Sequence, residues 1–482
     1  MSLTLRKPIL VGGVSLSLAL WLWDSLQHSL IEAGEWTLLG TIAVGTGFWL
    51  LKPNKSKQEI SQTKSLELTE EEVKIAIATA QHLVNCLETE ASERDISYLK
   101  KQSEILPALL QKSELELAIT GSKKAGKTTL QQILEKEEFS SQFTLRETEA
   151  LLTETTTTEL AAKETALAAD LVLFLVTGDL TDGEWQIIQE LKAQHQHILL
   201  ILNKQDQYTP EERIYLQQQL QHRVAEIIAP EDIVTITTAP NPIKVRKQQQ
   251  DGSINEWMEE QPVAIEKLKE RMAIALTQGK EQLLWGTTWR AANQLQQQAQ
   301  SNLNQVRRER ALPVIERYQW IAAAAAFANP VAALDLLATA AVNTQMLIDL
   351  SGIYQQKFSL AQAQTATGTI GKLMVQLGLV ELSTQAIASI LKSNAFTYVA
   401  GGAVQGVSAA YLTRIVGLSL IEYFQEQEIN PTQAKEFNLA KLTAKLKQVF
   451  QENQRTTFLS NFVATVINRM SRESSLSANT VA

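Results

Sequence analysis

The stretch Gly121-Ser122-Lys123-Lys124-Ala125-Gly126-Lys127-Thr128-Thr129 obeys the pattern G-x-x-x-x-G-K-[ST]. It follows an apolar run, Leu115 to Thr120, and opens into Leu130-Gln131-Gln132-Ile133-Leu134, so it stands between an expected strand and an expected helix. The spacing has a physical reason. Gly121 and Gly126 let the backbone turn its N–H groups inward around a phosphate, and the helix N-terminus adds positive potential. Lys127 would reach the outer phosphates, and the Thr128 hydroxyl would ligate Mg²⁺. The nine residues Gly121, Ser122, Lys123, Lys124, Ala125, Gly126, Lys127, Thr128 and Thr129 are read as one phosphate-binding loop.

Beyond the loop, strands and helices are expected to alternate, as in a doubly wound sheet. Ala169 to Val176 and His197 to Leu202 are continuous apolar runs suited to strands buried on both faces. Helices are expected over Leu180 to Gln194 and Pro210 to Ile227, and a further strand over Ile233 to Thr237. Gln194-His195-Gln196-His197 reads as a solvated helix end, and Thr181-Asp182-Gly183 as a helix cap rather than a metal site.

The second strand ends in Asn203-Lys204-Gln205-Asp206, which resembles the N-K-x-D motif of GTP-binding proteins and lies where α/β sheets bind ligands. A carboxylate there can accept from both N1–H and the exocyclic amine of guanine, a pair of donors adenine lacks. Further on, Thr237-Thr238-Ala239 resembles the S-A-x loop of the same family. The resemblance implies that Asn203 braces the loop and the base edge. It also implies that the Lys204 stem covers the base and that Asp206 reads guanine, with a backbone N–H at Thr238 or Ala239 meeting O6. It further implies GTP or GDP with Mg²⁺ as ligands.

The departure from that family lies between the motifs. Its D-x-x-G sequence has no match before Ala169. The nearest is Glu147-Thr148-Glu149-Ala150, preferred here over a second register at Glu154-Thr155-Thr156-Thr157. Glu147 is thus the candidate catalytic, Mg²⁺-directed carboxylate, and Ala150 replaces the glycine that senses the γ-phosphate. Only Ser140 or Ser141 could stand for the usual Mg²⁺-binding threonine of the first switch, and no catalytic glutamine is evident. Thr155 to Glu159 reads as a polar loop. Lys124 occupies a position where some relatives carry an asparagine that helps bind K⁺; an exposed, solvated lysine is the simpler expectation. Binding is better supported by this pattern than hydrolysis.

Composition bounds the rest. The chain has 482 residues, 45% of them hydrophobic, a formal charge of -8 and one cysteine, Cys86. Such a length implies several domains, the mildly acidic balance argues against nucleic-acid binding, and a lone cysteine fits a reducing compartment. Two apolar runs, Ile9 to Trp23 and Trp36 to Leu51, are flanked outside by Arg6, Lys7, Lys52, Lys55 and Lys57, while the turn between them has only acidic charges. The positive-inside bias then places both ends in the cytoplasm. A membrane hairpin is expected; a signal peptide or two core helices are the alternatives.

A polar linker leads to an amphipathic helix from Glu70 and another over Ile96 to Gln111. This pair either holds the nucleotide domain off the membrane or packs on it. A helix is expected over Trp257 to Leu276, closing that domain. A Gln-rich helix, Trp289 to Arg310, then leads to the alanine run Ala322 to Ala326. With Pro313 to Trp320 and Gly401 to Ala410, this region (about 300 to 430) resembles the all-helical YcjF-type domain of unknown function, found fused to Era-like GTP-binding domains. A packed bundle is favoured there over a membrane-inserted hairpin, because Asp335, Asp349, Lys372, Glu381 and Arg414 interrupt the apolar runs.

The expected architecture is an α/β P-loop G domain with a doubly wound, mostly parallel sheet, an N-terminal transmembrane helical hairpin and a C-terminal all-α domain. The boundaries are 1–55 for the hairpin, 56–112 for the helical linker, 113–280 for the G domain, 281–430 for the helical domain and 431–482 for a last helix and disordered tail. The expected partners are a guanine nucleotide, the lipid bilayer and an unidentified protein, with self-association among the options. The expected location is a multi-pass membrane protein with its soluble domains on the cytoplasmic face. A membrane scaffold with a degenerate, non-hydrolysing nucleotide domain is the other reading, and an ATP-using P-loop enzyme is disfavoured by Asp206.

Overall fold

The computed structural model describes residues 68–137, 143–152, 156–248, 254–328, 332–356, 358–393, 402–426, 438–453 and 459–466. The expected membrane hairpin, Ser140, Ser141, Glu154, Thr155 and the expected disordered tail lie outside these residues.

Five short strands form one parallel sheet: β1 (Leu115–Gly121), β2 (Phe143–Glu147), β3 (Leu171–Val176), β4 (His197–Leu202) and β5 (Ile233–Thr235), in the order β2-β1-β3-β4-β5. Strand periodicity divides their side chains between two cores. Leu117, Ile119, Leu171, Leu173, Leu175, Leu199 and Ile201 face one side. There they meet α3 (Lys127–Leu134), α7 (Glu266–Thr277) and the first turn of α8 (Lys280–Ala328). Ala118, Val172, Phe174, Val176, Ile198, Leu200 and Leu202 face the other, against α4 (Thr156–Ala168), α5 (Asp182–Ala193) and α6 (Pro210–Val224). Both faces being covered explains why these strands read as unbroken apolar runs. The strand order reverses between β2-β1 and β3-β4-β5, which opens a crevice at the carboxyl ends of β1 and β3.

Three features differ from the sequence expectations. Of the expected polar loop Thr155 to Glu159, the described part, Thr156 to Glu159, is helical and opens α4. Trp257 is not helical; β6 (Ile243–Gln248) and β7 (Ile254–Glu259) form an antiparallel two-stranded sheet, and α7 starts only at Glu266. Gln196 is not solvated but fully buried, its amide nitrogen donating to the carbonyls of Ala169 and Asp170 across the sheet. Its neighbours Gln194 and His195 stay exposed and half-buried, and α8 meets this helix end at His195, whose ring packs edge-on against Trp289.

α8 runs unbroken for 49 residues, about 73 Å at 1.5 Å per residue, with Pro313 inside it. Its first half buries Ala292, Leu295, Ala299, Leu303 and Val306, spaced by three and four, against α1 (Glu70–Glu90) and α2 (Ser97–Leu109). Arg307 makes a two-nitrogen ion pair with Glu90 at the end of α1. Its second half joins α9 (Ala332–Ile353), α10 (Leu360–Gln376), α11 (Leu379–Ser393), α12 (Gly402–Glu426), α13 (Leu439–Asn453) and the helical segment 459–466 in one apolar core. Within α12, Val404–Glu426 is long and apolar enough to cross a membrane, and 78% of its most apolar window is buried in this bundle.

α8 is bolted to the base of the sheet. The Arg290 guanidinium donates to the carbonyls of Leu167 (2.8 Å), Ala169 (2.8 Å) and His195 (3.1 Å). Thr287 donates to Asp170 at 2.7 Å, and the other carboxylate oxygen of Asp170 accepts from Lys112 and from the Glu116 N–H. Burial pulls the Arg290 pKa down to about 10, opposed by the Asp170 charge.

Candidate functional site

The glycine-rich loop joins β1 to α3 at the crevice. Gly126 takes φ +99°, and a side-chain carbon there would come within 2.3 Å of Asn203 Nδ2, so conformation and space both require glycine. Gly121, at φ +150°, lies so close to β3 that a Cβ would meet the Leu175 carbonyl oxygen at 2.4 Å. Lys124 takes the left-handed conformation and, with Lys123, is exposed, while Ala125 is buried. Ser122 and Thr129 are half-buried.

Lys127 folds back over the loop, its Nζ donating to the carbonyls of Gly121 (3.1 Å) and Ser122 (3.3 Å). Burial pulls its pKa below the ordinary lysine range, and the carboxylates of Glu147 and Glu149 push the other way. The Thr128 hydroxyl donates to Glu147 Oε1 at 2.9 Å. Thus the two groups assigned to Mg²⁺ from sequence, on α3 and at the end of β2, touch. A hydroxyl paired with a carboxylate beside an ammonium is a donor set that suits a hard divalent cation and its phosphate. Glu149 is not singled out by the sequence pattern; it sits two residues past Glu147, and its negative charge also acts on Lys127.

The segment after β2 is fastened to the loop. Thr148 N–H donates to Ile119 O, Leu151 N–H donates to Gly121 O, and Thr148 Oγ1 donates to the buried Thr120 hydroxyl at 2.9 Å. Leu151 pairs with Ser122 in a parallel bridge. Leu152 then turns left-handed, at φ +57°, and its side chain covers Gly183 at the start of α5. Thr181 caps α5 in a reciprocal pair with Glu184, and Asp182 pairs with Arg223. Neither acid faces a metal cluster; among the described residues no group of three metal-ligating side chains occurs.

Asn203, fully buried at the end of β4, ties the two loops together. Its Nδ2 donates to Ala125 O (2.8 Å) and to Thr238 Oγ1 (3.1 Å), and its Oδ1 accepts from the N–H groups of Lys204 (2.8 Å) and Thr238 (3.2 Å). Lys204 is left-handed and half-buried. Asp206 sits in the short turn beyond it. One carboxylate oxygen accepts from Asn241 N–H (3.1 Å) and Nδ2 (3.2 Å); the other is buried with no hydrogen-bond partner. A buried carboxylate oxygen without a donor fits a base that brings one. Thr238 is buried and Ala239 exposed. Asn241 is the second residue sequence reasoning passed over; its place between Pro240 and Pro242 marks a turn but does not reveal that it holds Asp206.

Residues 290–455 match a domain of unknown function, DUF697. No curated protein matches the chain. Two solved structures are similar over most of its length. One is LeoA, a bacterial dynamin GTPase from ETEC, at 11% identity and a TM-score of 0.24, covering 84% of this chain and 95% of that one. The other belongs to an oligomerised bacterial dynamin pair described as a mechanism for long-range sensing and tethering of membranes. It has 13% identity and a TM-score of 0.25, covering 82% of this chain and 81% of that one. Neither superposes closely enough to lend this chain a residue role or an activity.

Proposed function

We propose that this chain is a membrane-anchored guanine-nucleotide-binding protein whose hydrolysis is slow or depends on a partner. The observation that carries the reading is Asn203, which joins the phosphate loop at Ala125 to the base loop at Thr238 and stands three residues before the half-partnered Asp206. The loop N–H groups and Lys127 would hold the phosphates, Thr128 and Glu147 would hold Mg²⁺, and Asp206 would accept from guanine. When bound, Mg²⁺ neutralises phosphate charge. Lys127 is already partly desolvated, and anionic phosphate oxygens would replace its two carbonyl acceptors.

Slow turnover follows from what the segment after β2 lacks. Glu147 is longer than the aspartate it replaces, Ala150 has a methyl group where a γ-phosphate-sensing glycine is usual, and no glutamine there orients water. The expected intrinsic rate is of the order of the 10⁻⁴ s⁻¹ of an unassisted GTPase. The nucleotide state would reach the helical bundle through α8, which is fixed to the base of the sheet by Arg290 and Thr287. Membrane anchoring rests on the N-terminal apolar pair and its flanking charges, and full-length protein should resist carbonate extraction while a chain lacking residues 1–52 should not.

The direct test is nucleotide choice. The full chain should bind GTP and GDP with Mg²⁺ and prefer them to ATP. Asp206→Asn should weaken guanine nucleotides by about 1.5–3 kcal/mol and favour xanthine nucleotides. Equal binding of ATP and GTP by the parent would refute the assignment. The second reading, a scaffold that holds nucleotide without turnover, is favoured by the same substitution of Ala150. Single-turnover measurement with purified protein separates the two.

A further inference from the structure

β6 and β7 make a sheet of two strands only, and among the described residues no other strand pairs with either outer edge. An isolated hairpin of this kind is marginally stable in water. It is rooted beside the base loop, where Thr237 and Ala264 exchange backbone hydrogen bonds of 2.9 and 3.0 Å. It also exposes large apolar groups: Ile243 is 49% accessible, Trp257 40% and Met258 61%. The register puts Val245 opposite Trp257 on one face and Arg246 opposite Glu256 on the other. The strands differ in charge. β6, Ile-Lys-Val-Arg-Lys-Gln, carries three basic residues and no acid; β7, Ile-Asn-Glu-Trp-Met-Glu, carries two acids and no base.

We propose that this hairpin takes a second copy of the same chain, the acidic outer edge of β7 pairing with the basic outer edge of β6 in the next molecule. Within one hairpin Glu256 already pairs with both Lys244 and Arg246. Continuing the same antiparallel register places the next copy's Lys244 and Arg246 on the far side of Glu256, giving alternating charges along one face. The other face then alternates Val245 and Trp257. Pairing two β6 edges, or two β7 edges, would oppose like charges, which is unfavourable directly across a ladder. Charged edges commonly keep sheets apart, but edges of opposite sign attract. The resulting contact is head-to-tail, so it builds rings or open chains rather than a closed dimer. This inference is independent of the nucleotide reading.

The experiment is sedimentation velocity on the full chain in detergent, at low salt and without nucleotide. The parent should self-associate, and high salt should reverse it. Lys244→Glu with Arg246→Glu makes both edges acidic, and Glu256→Lys with Glu259→Lys makes both basic. Each double variant alone should weaken association by on the order of tenfold or more. An equimolar mixture of the two should recover it, which a merely unfolded hairpin would not. The chain carrying all four changes regains its internal ion pairs and should associate like the parent. A monomeric parent, a double variant that associates like the parent, or failure of both the mixture and the fourfold variant would overturn the proposal.

Discussion

Asn203→Ala tests whether one buried amide holds the two halves of the site together. Removing it strands Ala125 O and Thr238 N–H, both at buried residues, and leaves Lys204 N–H to find water. Each buried group left without a partner costs about 1–3 kcal/mol, so the two together cost about 2–6 kcal/mol. In a cooperative unit of this size that lowers the melting temperature by on the order of 5–15 °C. Asn203→Asp isolates the donor half: it keeps an acceptor for Thr238 and Lys204 but turns an oxygen toward the Ala125 carbonyl. It should therefore also destabilise, with guanine-nucleotide affinity falling in both variants because the phosphate loop loses its brace. Thermal unfolding and nucleotide titration on the same samples read the two effects. A melting temperature within about 1 °C of the parent for Asn203→Ala would show that the amide is not a structural tie, since even a single orphaned buried group exceeds that.

Three other perturbations follow from the geometry. Arg290→Met leaves the carbonyls of Leu167 and His195 without its donation, while Ala169 keeps Gln196 and Asp170 keeps Lys112; denaturant unfolding should show a loss of about 2–6 kcal/mol, at about 1–3 kcal/mol for each of the two orphaned carbonyls. Glu147→Ala frees the Thr128 hydroxyl, and titration with Mg²⁺ should show altered metal dependence with little change in nucleotide affinity at saturating metal. Burial pushes the Asp232 carboxyl up, but the His197 imidazole and the Arg271 guanidinium outweigh it and hold it below its usual 3.8. A depressed folded pKa stabilises above the unfolded value and is lost as pH falls through the folded one. The stability gap between parent and Asp232→Asn, read by unfolding at successive pH values, should therefore be full near neutrality and shrink below about pH 4; a gap that grows with acid would reverse the sign.

The two anchors of α8 suggest how the molecule divides its labour. Arg290 and Thr287 hold its start at the base of the sheet, at the end away from the glycine-rich loop, whereas Arg307 holds its middle to α1 through Glu90. A helix of 49 residues held at both places transmits position more readily than a flexible linker would. The half-buried Glu90 also accepts from Gln355 just past α9, so the first helix, the long helix and the bundle share one carboxylate.

The glycine-rich loop between a strand and a helix, the order of strands and helices around it and the place of Asn203-Lys204-Gln205-Asp206 at a strand end were legible in the amino-acid sequence, because their signals are local. Glycine spacing reports backbone conformation at Gly121 and Gly126, and an unbroken apolar run such as Leu171 to Val176 reports a strand covered on both faces. What joins distant segments was not legible. Asn203 meets Ala125 across 78 residues, Arg290 meets Ala169 across 121, and Arg307 meets Glu90 across 217. Nothing in a polar residue's neighbours states which carbonyl or carboxylate it will find. The misread segment around Trp257 has the same cause. Asn255-Glu256-Trp257-Met258-Glu259 has no burial pattern of its own, since Glu256 through Glu259 stay exposed, and only pairing with Ile243–Gln248 makes it a strand. Gln196 likewise reads as solvated until its amide meets the carbonyls of Ala169 and Asp170, 27 and 26 residues away. Backbone conformation and burial on both faces are written into short stretches of chain; the partners of buried polar groups and the pairing of exposed strands are decided only when the tertiary structure brings residues far apart in sequence within hydrogen-bonding distance.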